Sequence, residues 1–145
     1  MNDQQLEAIE FEDANDEALK TKILDFYREH PEQTLKTLVC RAYGRANKEY
    51  VALVTRGDLK VNLDKVIKLL DLKTIRFANA DEMQKLGLSA GFVSPIDCKD
   101  MKIIGDTAIE KYQNYYDGGN RDLLYRKNVN YPRDFSVTHL IDLSQ

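Results

Sequence analysis

The chain is 145 residues long, 43% hydrophobic, and carries a formal charge of −3. That size and apolar content suit one domain around a single core. The negative balance argues against a protein that holds nucleic acid by bulk electrostatics, which needs many clustered Lys and Arg.

No stretch reaches the roughly 20 apolar residues of a membrane helix. Met1-Asn2-Asp3-Gln4-Gln5 lacks the basic start and apolar run of a secretory signal, so a cytoplasmic location is expected. Cys40 and Cys98 are far apart, with no Cys-x-x-Cys and no neighbouring His cluster. They read as reduced, small buried hydrophobes rather than metal ligands, and no metal or cofactor is expected.

Residues 1–14 are acidic with little periodicity and read as a loosely docked arm, leaving 15–145 as the domain. Asn15, followed by Asp16 and Glu17, is a cap signal. Leu19, Ile23, Phe26 and Tyr27 then keep helical spacing until Pro31, which predicts a helix over about 15–29. Lys36 to Tyr43 and Glu49 to Arg56 are rich in Val, Leu, Thr and Tyr around a Gly44-Arg45-Ala46-Asn47-Lys48 break, the pattern of an antiparallel hairpin.

Asn62 caps a short helix to Leu70 with Leu63, Val66, Ile67 and Leu70 on one face. Thr74 to Phe77 is a short strand, and Asp81 to Leu86 a second short helix stopped by Gly87. The loop Gly87-Leu88-Ser89-Ala90-Gly91-Phe92-Val93-Ser94-Pro95 has the small residues that permit close backbone approach. Lys102 to Ile104 is a strand, Thr107 to Tyr116 fits either class, and strands near Leu123 to Arg126 and Thr138 to Leu143 complete the set. This order predicts an α+β fold, a mixed sheet with helices packed on it. Arg121, Arg126, Lys127 and Arg133 fall within one short stretch and form the candidate anion-binding surface.

Three segments carry a family resemblance. Glu32-Gln33-Thr34-Leu35-Lys36-Thr37-Leu38-Val39 resembles the strand entry at which the insertion domain of bacterial prolyl-tRNA synthetases, in the YbaK-like aminoacyl-tRNA deacylase family, has its functional lysine. Gly91-Phe92-Val93-Ser94-Pro95 is similar to the family's substrate-pocket loop. Gly118 to Asp134 is similar, without insertion or deletion, to a Gly-Ala-Asn-x-x-x-x-His segment followed by Val-Asn-x-x-Arg-Asp. Gly119 stands where the family has Ala, and Tyr125 where it has His.

The resemblance covers about residues 20–143. It implies a largely antiparallel, partly barrel-like sheet, and hydrolysis of alanine from the acceptor end of proline tRNA by the insertion domain of a prolyl-tRNA synthetase. It implies no metal and no covalent nucleophile, with assistance from a hydroxyl of the terminal adenosine. Lys36, Asn120 and Tyr125 are then the catalytic candidates: Lys36 against phosphate or ribose, Asn120 orienting loop or substrate, and Tyr125 either hydrogen-bonding through its phenol or packing. Gly91, Ser94, Pro95, Gly118 and Gly119 are the substrate-binding candidates. Arg133-Asp134, His30 and His139 read as structural. Two other functions stay open: a non-catalytic module that binds the tRNA end, and a free-standing deacylase for another small amino acid such as serine or cysteine.

Overall fold

The computed structural model describes residues 6–10, 17–121 and 124–144. Its centre is a hairpin of β2 (Leu35–Tyr43) and β3 (Lys48–Arg56), in register from Leu35 opposite Arg56 to Tyr43 opposite Lys48. Val51, Ala52, Leu53, Val54 and Thr55 are all fully enclosed, so β3 is covered on both faces. One face, with Leu35, Val39, Ala52 and Val54, packs on Met83, Val93, Ile109, Tyr115 and Phe135. The other, with Cys40, Val51 and Leu53, packs on Val66, Ile104 and Leu143. Each such aliphatic side chain taken fully out of water contributes about 1.5–3 kcal/mol.

The hairpin lies inside a five-stranded sheet with β4 (Thr74–Phe77), β5 (Lys102–Asp106) and β8 (His139–Ile141), in the order β4-β2-β3-β5-β8. The β3–β5 and β5–β8 pairs are parallel. A second, antiparallel sheet has the order β1-β7-β6, from β1 (Glu7–Glu10), β7 (Leu124–Val129) and β6 (Tyr115–Gly118). Most strand pairs are antiparallel, as expected, and among the described residues the two sheets stay open without closing a barrel.

Of the helices, α1 (Glu17–Glu29) buries Ile23, and α2 (Leu63–Leu70) buries Val66 behind an Asn62 cap that accepts the Asp64 N–H at 3.0 Å. For α3 (Ala80–Lys85), Asn79 and Glu82 form a reciprocal capping box with both bonds at 2.9 Å. None of these helices is long and apolar enough to cross a membrane.

Three segments take a form that the sequence pattern left open or masked. The acidic arm is not wholly irregular, since Glu7–Glu10 pair with β7. A ladder is made by backbone groups, which side-chain composition does not reveal. The rest of the arm, with the Asn15 cap, lies outside the described residues. Thr107 to Tyr116 divides into a 3-10 helix (Thr107–Lys111) and the start of β6. The basic stretch is not a free anion surface: Arg126 is paired bidentately with Asp97 at 3.0 Å for both bonds, and Arg133 with Asp134 at 2.9 and 2.8 Å. Arg121 and Lys127 are also engaged by neighbours.

Candidate active site

The site lies where the main sheet is missing a neighbour. β4 pairs with β2 only from Cys40 to Tyr43, so among the described residues the Leu35–Leu38 half of β2 has no paired strand on that side. The gap is closed at one end by the Ala78 N–H on the Val39 carbonyl (2.9 Å) and at the other by the bridge of Thr34 to Tyr116. Odd-numbered carbonyls of β2, Val39 and Tyr43 among them, point to this edge. By the alternation of an antiparallel ladder, the Thr37 N–H and C=O point there too.

Facing that edge is a pocket of about 300 Å³ lined by Tyr27, Pro31, Thr34 to Leu38, Gly57, Gly91, Val93 and Gly118. It brings Lys36, Gly91 and Gly118 together from three widely separated segments. Each lining glycine has its own steric reason. Gly91 takes φ +85 with open space around it. A Cβ on Gly118 would sit 2.2 Å from the Phe92 carbonyl oxygen, and one on Gly57 2.0 Å from the Thr34 hydroxyl.

The Lys36 ammonium donates to the Leu59 carbonyl, and burial chiefly, with Lys60 nearby, lowers its pKa against the opposing pull of Asp58. Thr34 donates to the Pro31 carbonyl at 2.8 Å. The Thr37 hydroxyl is sealed from solvent without a partner among the described residues.

The remaining candidates stand behind this wall. Asn120, at φ +60, donates its N–H to the Phe92 carbonyl (2.7 Å), accepts from the Ser89 N–H (2.8 Å) and donates its amide to the Gly87 carbonyl (3.0 Å). Its polar groups hold the 87–92 loop. Ser94 caps the 3-10 helix Pro95–Asp97 by accepting the Ile96 N–H at 3.2 Å. Pro95 lines a different hollow, of about 470 Å³, with Met101 and Phe135. Gly119 leaves no room for a Cβ beside Leu124 and is not among the lining residues. The Tyr125 ring sits 5.5 Å from both Tyr27 and Phe92, bracing the pocket wall from behind.

His30 packs on Phe26 at 5.2 Å, and His139 is paired within the sheet opposite Ile104. Burial pushes the thiols of Cys40 and Cys98 up to about 12, which keeps both in the unreactive form.

Two site residues escaped the sequence reading. Tyr27 has the helical spacing of a core residue, so the pattern gave no reason to single it out. Asp117, fully enclosed next to Gly118, has its Oδ2 without a hydrogen-bond partner among the described residues. Burial pushes its pKa up to about 8, helped by Asp97 and opposed by the Ser94 hydroxyl, the Gly118 N–H and Arg126. An acidic residue between Tyr116 and two glycines reads as a turn, so no sequence signal marked it as buried.

The fold thus carries one small recess walled by glycine backbone and a lysine at the edge of its main sheet. The chain belongs to the aminoacyl-tRNA editing domain family, whose pattern matches residues 16–125. It is 34% identical over 124 residues to a proline–tRNA ligase of Dehalococcoides mccartyi, covering 86% of this chain and 21% of the ligase. A proline–tRNA ligase of Bacillus licheniformis is 31% identical over 144 residues, covering 97% of this chain and 24% of the ligase. The chain thus spans under a quarter of the length of these relatives. Among solved structures, the protein APE2540 superposes with a TM-score of 0.74 at 20% identity, over 97% of this chain and 92% of that one. A candidate trans-editing enzyme for prolyl-tRNA synthetase superposes at 0.73 and 18% identity, over 97% and 87%. These two likenesses are of fold.

Proposed function

We propose that the chain hydrolyses the ester of alanine wrongly attached to proline tRNA, as the editing module of a prolyl-tRNA synthetase working in the cytoplasm. The observation that carries this reading is the 300 Å³ pocket joining Lys36, Gly91 and Gly118 at the open edge of β2. A synthetic site built for proline cannot strongly reject alanine, because missing apolar volume is worth only about 1–3 kcal/mol, so a second and smaller sieve is needed. Walls made of Gly91 and Gly118 backbone and bounded by Tyr27, Leu35 and Val93 would receive the aminoacyl group.

In the reaction a water oxygen bonds to the ester carbonyl carbon. The bond to the ribose oxygen then breaks, giving free alanine, a proton and the restored ribose hydroxyl. Charge builds on the carbonyl oxygen, and the Thr37 N–H at the strand edge is placed to receive it. Lys36, fixed by the Leu59 carbonyl at the rim, suits a ribose or phosphate oxygen of the terminal nucleotide. The −3 charge of the chain agrees with tRNA affinity residing mainly in the rest of a larger enzyme.

The test is release of alanine from mischarged proline tRNA by this chain and by Lys36→Ala, with prolyl- and seryl-tRNA for comparison. Selective alanine release that falls at least tenfold in the variant is expected. Binding without turnover would favour the non-catalytic module, and preferential seryl release a deacylase for another amino acid.

A further inference from the structure

The hydrogen-bonding side chains that line the pocket are not equivalent. Thr34 is committed to the Pro31 carbonyl and Lys36 to the Leu59 carbonyl. Among the described residues, the sealed side-chain oxygens without a partner are Thr37 Oγ1 and Asp117 Oδ2. The Tyr27 hydroxyl has no hydrogen-bond partner among the described residues either, and Tyr27 is one of the residues that line the pocket.

Its position is fixed from several directions. Tyr27 lies in the last turn of α1, with Ile23 of the same helix buried beneath it at 4% exposure. Its ring is 5.5 Å from Tyr125, which in turn meets Phe92 of the glycine loop edge-on at 5.5 Å. The preceding Phe26 stacks on Tyr116 of β6 at 4.2 Å, pinning the helix to the second sheet. Burial, with Asp117, Tyr125 and Tyr116 nearby, holds the phenol well above its ordinary range, so it keeps its proton. A neutral O–H donor, held by its helix and by neighbouring rings in the wall of a small recess, needs little rearrangement when charge appears there.

We propose that Tyr27 is a catalytic residue of this pocket, whose phenolic hydroxyl donates a hydrogen bond to the carbonyl oxygen of the aminoacyl ester and strengthens that bond as the oxygen becomes negative. The inference rests on the editing reading and adds to it a donor on α1 to those of β2.

Tyr27→Phe is the discriminating variant, because it keeps the ring, its packing on Tyr125 and the pocket wall while removing one oxygen. Single-turnover and steady-state alanine release from alanyl-tRNA(Pro) should show kcat lowered tenfold or more with KM within about twofold, the pattern of an interaction made in the transition state. Thermal unfolding should be unchanged, since the hydroxyl bonds to no described residue. An active wild-type chain with an equally active Tyr27→Phe variant would overturn this inference alone. A wild-type chain that releases no amino acid from any aminoacyl-tRNA would overturn the editing reading and this inference with it.

Discussion

Asp117→Asn is the perturbation with the clearest physical signature. The carboxyl is fully enclosed, one oxygen accepts the Gly118 N–H at 2.8 Å, the other has no hydrogen-bond partner among the described residues, and its pKa is pushed up to about 8. Unfolded, the same group titrates near 3.8. Between those values the unfolded chain has released a proton that the folded chain retains, so raising the pH destabilises the fold.

The slope over that window is about 1.4 kcal/mol per pH unit, vanishing below pH 4 and levelling above pH 8. Asn has the same shape without the charge. The variant should therefore match wild type near pH 4 and become progressively more stable as pH rises toward 8, with a gain of several kcal/mol at the upper end, about 1.4 for each unit crossed. Urea unfolding at pH 4, 5, 6, 7 and 8 reads this directly. A stability difference independent of pH, or one that shrinks with rising pH, would refute a neutral buried Asp117.

Gly118→Ala tests the close approach of β6 to the glycine loop. A Cβ 2.2 Å from the Phe92 oxygen and 2.7 Å from its Cα must push backbone aside, and the Asn120 bond to the same carbonyl goes with it. Overpacking at about 1–3 kcal/mol plus a lost hydrogen bond at about 1 kcal/mol sets the expected cost, seen as a lower thermal midpoint and weaker alanine release. Asn120→Ala should also lower alanine release, through a looser 87–92 loop. Its signature is faster proteolysis or hydrogen exchange there, with little change at Lys36.

Much of the fold was legible because each local signal agreed with the final packing. Asn62 and Asn79 cap the helices their positions suggest, Gly87 ends α3, and the turn at 44–47 closes the hairpin. β1 was illegible because its pairing is a backbone event with β7, more than a hundred residues away in sequence. Thr107 to Tyr116 was ambiguous because Asp106 caps a 3-10 turn that leads straight into a strand.

At the site, the resemblance pointed to Lys36, Gly91 and Gly118, which line one pocket. Asn120, Ser94 and Tyr125 instead brace its walls, a distinction that depends on which side of a loop a group faces. Tyr27 belongs to a helix whose period describes only burial. Asp117 depends on a bulge between Tyr115 and Asp117, which spacing does not encode.

The opening beside β2 also bears on how the domain stays out of trouble. An uncovered strand edge is a template for another chain, and proteins usually blunt it with charge or with a neighbouring element. Here the Thr34–Tyr116 bridge and the Ala78–Val39 bond bracket the edge, leaving Leu35 to Leu38 available. A ladder of four residues is shorter than the usual strand of about five or six, and an intruding segment would have to pass the Lys36 ammonium to reach it. The recess can therefore offer main-chain groups to a single aminoacyl unit while giving a foreign strand too little length to hold.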